Sequence, residues 1–160
     1  MAIERIVSGA QTGADRAALD VALALGIPCG GWVPRGRLDE NGVIPGHYPN
    51  LVEAETADPA RRTALNVRDS DATLIFSHGA LTGGSAYTRD IAVQGGKPWM
   101  HIDLSQSAAA EAAAAILAWL SEVRPRVLNV AGPRASHDPE IYDATRLVLV
   151  EVLKASAETR

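Results

Sequence analysis

The stretch IERIVSGAQTGADRAALDVALALG, residues 3–26, decides the fold. Residues 3–8 form a short apolar run that stops at Gly9, the pattern of a buried strand. Beyond it, apolar positions recur at helical spacing until Gly26, which predicts a helix over about 13–25. A strand that passes straight into a helix through a small-residue turn is the opening of a βαβ unit.

The alternation continues along the chain. Residues 29–34 read as a second strand closed by Pro34, and 35–50, rich in Gly, Pro and Asn without a period, as a long loop. Asp58 before Pro59 is an N-cap followed by proline at the first helical position, so a helix is expected over 59–68. A strand at 71–77, a helix at 84–94 ended by Gly95-Gly96, and a strand at 98–103 follow. Next come an Ala-rich helix capped by Ser105 or Ser107, a strand at 126–132, and a final helix behind Asp138-Pro139. The expected fold is a single α/β, Rossmann-like, three-layer domain. Its sheet is mostly parallel, with about five or more strands and helices on both faces. The domain is expected to span 1–155, with 156–160 a frayed tail.

In such a sheet all strand-to-helix loops lie at the carboxyl edge, where ligands bind. Three of them are unusual: SGAQTGAD (8–15), SHGALTGGSAYT (77–88) and AGPRASHD (131–138). Glycine permits positive φ and close backbone approach. The first N–H groups of a helix lack internal partners and carry the positive end of its dipole. Together these features suit phosphate or another oxyanion. The candidate ligand-binding residues are Gly9, Gln11, Thr12, Gly13, Asp15, Arg62, Thr82, Gly83, Gly84, Ser85, Thr88, Gly132 and Arg134. Ser8 and Ser136 add hydroxyls, and Arg35 and Arg37 are further candidate cations. Asp15 serves the helix dipole or a ligand hydroxyl. Trp32 and Trp99 read as core, while Tyr48 and Tyr87 are candidate stacking rings.

Other chemistries are disfavoured. No loop is a dinucleotide fingerprint or a P-loop, and no serine sits in a G-x-S-x-G elbow. His47, His78, His101 and His137 have no metal-ligand spacing, so no protein-bound metal is expected. The formal net charge of -4 argues against a nucleic-acid polymer or a membrane surface as partner. Aromatic residues are only 4% of a chain that is 47% hydrophobic, so aliphatic residues must fill the core. The single cysteine, Cys29, excludes an intrachain disulfide and fits a reducing cytoplasm. The N-terminus reads as a strand and not as a signal peptide.

The segments SGAQTGADRAALDVALALGI, GWVPRGRLDENGVIP, NVRDSDATLIFSHGALTGGSAYT, GKPW and LNVAGPRAS resemble the bacterial molybdenum cofactor carrier proteins, a circularly permuted branch of the SLOG superfamily. The resemblance covers nearly the whole chain. It implies a Rossmann-like fold and a carrier of the molybdenum cofactor or a similar phosphate-bearing pterin or nucleotide. In the related Lonely-guy phosphoribohydrolases the segment similar to LNVAGPRAS comes first; here it comes last. RRTALNVRDSDATLIF is similar to their arginine-bearing helix and strand, which places Arg62 on a substrate-contacting arginine. TGGSAYT departs from their P-G-G-x-G-T loop, with Ala86 at the third glycine. Where they carry a catalytic glutamate this chain has Arg89 and Asp90. Asp90 is therefore the residue to act if the protein is a nucleoside-monophosphate phosphoribohydrolase, and its identity favours binding without turnover. A sensor of a nucleotide-derived signal is a third reading. The resemblance also implies a homo-oligomer, as does the Ala-rich helix if its apolar circumference is buried against another subunit.

Overall fold

The computed structural model describes residues 3–158. Eight strands and five helices follow in the order β1 (Arg5–Val7), α1 (Ala14–Ala24), β2 (Cys29–Val33), β3 (Leu38–Asp39), β4 (Gly42–Val43), β5 (Leu51–Glu53), α2 (Pro59–Arg68), β6 (Ala72–Ser77), α3 (Gly83–Gln94), β7 (Trp99–Asp103), α4 (Ala109–Val123), β8 (Val127–Ala131) and α5 (Ile141–Glu158). Six strands make one parallel sheet in the order β5-β2-β1-β8-β6-β7. Helices α1, α4 and α5 pack together on one face, and α2 and α3 on the other. The three-layer α/β expectation holds.

The central strands are buried on both faces and read as continuous apolar runs. All six residues of β6 are buried, and Leu74, Ile75 and Phe76 have no exposure. Each such side chain contributes about 1.5–3 kcal/mol on burial. The last strand, β8, lies between β1 and β6 with Ile6 opposite Leu128 and Leu128 opposite Ala72. Its place at the centre of the sheet fits a permuted order of segments.

The long loop is not structureless. It contains a two-stranded hairpin, β3–β4, and is followed directly by β5, which extends the sheet beyond β2. The helix at 59–68 starts as expected, with Asp58 accepting from the N–H of Ala60 at 3.0 Å. Helix α4 has Ala108 at its N-cap and no side-chain cap, so neither Ser105 nor Ser107 serves there. Its apolar ridge, Ala112, Ala113, Ile116 and Leu120, is buried within the domain. Helix α5 continues to Glu158 with Ser156 buried, and residues 159–160 of the expected tail lie outside the described residues. Trp99 is 37% exposed on the edge strand, so it is not the core residue its apolar setting suggests. Trp32 is partly buried, with its indole N–H donating to Asp69 at 2.8 Å. Among the described residues no helix is long and apolar enough to cross a membrane.

Candidate functional site

The three glycine loops leave β1, β8 and β6, which are neighbours in the sheet. They therefore meet at one carboxyl edge, around a cavity of about 210 Å3. Of the candidates, Gly9, Gln11, Asp15, Arg62, Thr82, Gly84, Ser85, Thr88, Gly132 and Arg134 line it. Thr12, Gly13, Gly83, Arg35 and Arg37 do not. Asp90 lies on the exposed side of α3, paired with Arg89 at 3.0 Å and away from the cavity. Tyr87 is also outside it, and Tyr48 is buried with its hydroxyl donated to Asp20.

The loops differ in how many of their amides are engaged. In the first loop the N–H of Ala10 donates to Ser8 Oγ, that of Gln11 to Asp15 Oδ2, that of Thr12 to Gln11 Oε1, and that of Ala14 to the Pro133 carbonyl. In the third loop Ala135 N donates to Thr12 Oγ1, Ser136 N to Glu40 Oε1, and His137 N and Asp138 N to the Arg134 carbonyl. These two loops bind each other and the β3–β4 hairpin. Thr12 is a link in that network, since its hydroxyl donates to Glu40. Gly13 marks close contact between the loops: its φ is +83°, and a β-carbon there would overlap the Pro133 carbonyl oxygen. Gly132 is likewise a packing glycine, where a β-carbon would lie 2.5 Å from the Ala14 β-carbon and 2.7 Å from the Phe76 carbonyl oxygen.

The second loop presents free donors to the cavity, and among the described residues the Gly9, Asp15, Gly132 and Arg134 N–H groups of the other two loops also have no partner. At the start of α3 the N–H groups of Ser85 and Ala86 both reach the Thr82 carbonyl. Those of Gly83 and Gly84 have no partner among the described residues, and Thr82 provides no side-chain cap. A β-carbon on Gly84 would meet open space, as a wall of the cavity requires. Thr88 donates its hydroxyl hydrogen to the Gly84 carbonyl at 2.8 Å and offers a ligand only its oxygen.

Two guanidiniums complete the positive side. Arg62 is 7% exposed on α2, and its Nη1 donates to the Gly9 carbonyl at 2.8 Å. Its Nη2 has no partner among the described residues. Burial lowers its pKa, Asp15 opposes that, and Arg134 lowers it further, so the two arginines feel each other's charge. The Arg134 side chain has no hydrogen-bond or ion-pair partner among the described residues. Arg62 stands 3.8 Å from Asp15, whose carboxyl is pushed up to about 6 by burial, against the pull of Arg62.

The sequence left His78 and Asp138 apart, the first as a loop flank and the second as a cap. Both line the cavity, and His78 Nδ1 lies 2.6 Å from Asp138 Oδ2. Asp138 is held from its other oxygen by the N–H of Glu140 at 3.1 Å. Thr63, Asn66 and Asn129 also line the cavity. A lone Asn in the apolar strand 126–132 was the one sequence signal for the last of these. His137 joins the rim; His47 packs on Tyr48, and His101 meets Ser77 Oγ at 2.6 Å. No group of three or more metal-ligating side chains exists among the described residues.

A parallel α/β sheet with a cationic cavity at its carboxyl edge, walled by small-residue turns, defines a Rossmann-like domain of the SLOG kind. The chain belongs to the circularly permutated YpsA SLOG family, whose model matches residues 6–153. It is similar to a solved crystal structure from Syntrophus aciditrophicus SB described as a "putative molybdenum carrier protein". The two share 55% identity over 95% of each chain, with a TM-score of 0.92. No curated protein matches the chain.

Proposed function

We propose that the protein binds and carries a small phosphate-bearing ligand, of the molybdenum cofactor or nucleotide kind, in the cavity among the three loops. The observation that carries this reading is the pair of arginines, Arg62 and Arg134, beside the unpartnered N–H groups at the start of α3. Of the two acids in the lining, Asp138 is engaged with His78 and Asp15 faces Arg62, which leaves Arg134 and the α3 amides without a partner, and an anion supplies one. The phosphate contacts Gly84 N–H and the two guanidiniums. The cavity is smaller than the roughly 300 Å3 at which pockets for drug-sized molecules begin. It thus encloses a phosphate with the nearest part of its ligand, and the remainder extends past the rim. Molybdenum as cargo enters through the ligand, since the described side chains offer no metal cluster of their own. The likeness to a protein described as a molybdenum carrier supports that class of cargo. Equilibrium titration with purified molybdenum cofactor, AMP and molybdate tests the reading. Saturable binding of a phosphate-bearing ligand is expected, and saturation by none of the three ends it.

A second reading, hydrolysis of a nucleoside monophosphate, is favoured by the His78–Asp138 pair. A histidine oriented by a carboxylate in a cavity wall is a candidate general base. Release of free base from AMP, lost in His78→Gln, distinguishes it from the carrier.

A further inference from the structure

We propose that Asp15 makes the cavity selective for phosphate esters whose organic part donates a hydrogen bond, and that it turns away oxyanions that carry no donor of their own, such as molybdate and sulfate. The inference rests on the anion-binding reading above and narrows its ligand class.

The Asp15 side chain is 9% exposed and lines the cavity. One carboxylate oxygen, Oδ2, takes the Gln11 N–H at 3.4 Å and faces Arg62 Nη1 at 3.8 Å. The other, Oδ1, has no partner among the described residues. Nor is it sealed: among those residues Thr145 Oγ1 alone is a fully buried side-chain polar atom without a partner. Oδ1 therefore opens on the cavity. The carboxylate has little freedom to withdraw, because it sits in the first turn of α1 and its own carbonyl is held by Ser8 Oγ at 2.9 Å.

An anion drawn to Arg62 comes close to this carboxylate. With Oδ1 facing it, an oxyanion without a hydroxyl hydrogen meets like charge at short range and leaves a buried acceptor unsatisfied. A phosphate ester with a hydroxyl or N–H near its phosphate fills both needs at once: the phosphate meets the arginines and the donor meets Oδ1. Sites built to hydrogen-bond a donor discriminate strongly against ligands that lack it, and a repulsive element adds to that selectivity.

The experiment is calorimetric titration at pH 8 and fixed low ionic strength, with AMP, methyl phosphate and molybdate as probes. Wild type, Asp15→Asn and Asp15→Ser are compared, and the second variant serves if the first does not fold. The expected result is weaker AMP binding and tighter molybdate binding in the variants, so that the preference for AMP falls at least tenfold. Methyl phosphate, which at pH 8 has a phosphate ester but no donor, should follow molybdate. An AMP preference unchanged in both variants overturns the role of Asp15 and leaves the anion site standing. A wild type that binds none of the three probes overturns the site and this inference together.

Discussion

Thr12 gives its hydroxyl hydrogen to Glu40 Oε1 at 2.5 Å, across 28 residues of chain. The same carboxylate receives the N–H of Ser136 at 3.1 Å and the Ser136 hydroxyl, so the β3–β4 hairpin ties the first loop to the third. The Ser136 and Thr12 hydrogen bonds hold the Glu40 carboxyl below its ordinary pKa. Glu40→Ala is expected to lower stability by about 1.5–3 kcal/mol, the range for a lost hydrogen bond to a charged group. Urea unfolding measures it. Ligand affinity should fall as well, because Arg134 stands on the loop that is released.

Glycines with different neighbours should respond differently. A β-carbon on Gly9 would overlap the Arg62 guanidinium, whereas one on Gly84 meets open space. Gly9→Ala is expected to displace Arg62 and cost stability as well as binding. Gly84→Val should block approach of the anion and leave far-UV circular dichroism near native. Unfolding of the Gly84 variant would mark that glycine as a scaffold residue.

Arg134 has no side-chain partner among the described residues, so the domain should not need it. Arg134→Ala is expected to change stability by less than about 0.5 kcal/mol. It should weaken a phosphate-bearing ligand about 10- to 100-fold, the equivalent of one charge-assisted contact. Thermal unfolding and calorimetric titration of the same sample separate the two effects.

Asp15 gives a pH signature. Its carboxyl rises from 3.8 to about 6 on folding, chiefly through burial. A group raised in this way favours the native state fully below its unfolded pKa, and that contribution is lost as pH rises through about 6. Wild-type stability, measured against Asp15→Asn, should therefore fall by on the order of 3 kcal/mol between pH 4 and pH 8. Urea unfolding at the two pH values reads the difference. Parallel stabilities would show that the carboxyl ionises as easily in the folded protein as in water.

The sequence carried the layered fold because each long element kept its own period and its own end signals. Asp58-Pro59 and the apolar run of β6 are examples. It did not carry β5 or the hairpin: Leu51–Glu53 is three residues with two of them exposed, and β3 and β4 are two residues each. Such pieces are ordered by their neighbours and leave no periodic trace. The loops were legible as glycine-rich turns, but which amides stayed free was not. That depends on partners as distant as Pro133 for Ala14 and Glu40 for Ser136. The pairing of His78 with Asp138, 60 residues apart, was hidden for the same reason.

The most direct test of the site is a crystal structure of the protein soaked with AMP or molybdenum cofactor. The phosphate should lie against the Gly84 N–H, between the guanidiniums of Arg62 and Arg134. A phosphate held elsewhere, or none at saturating ligand, would contradict the account.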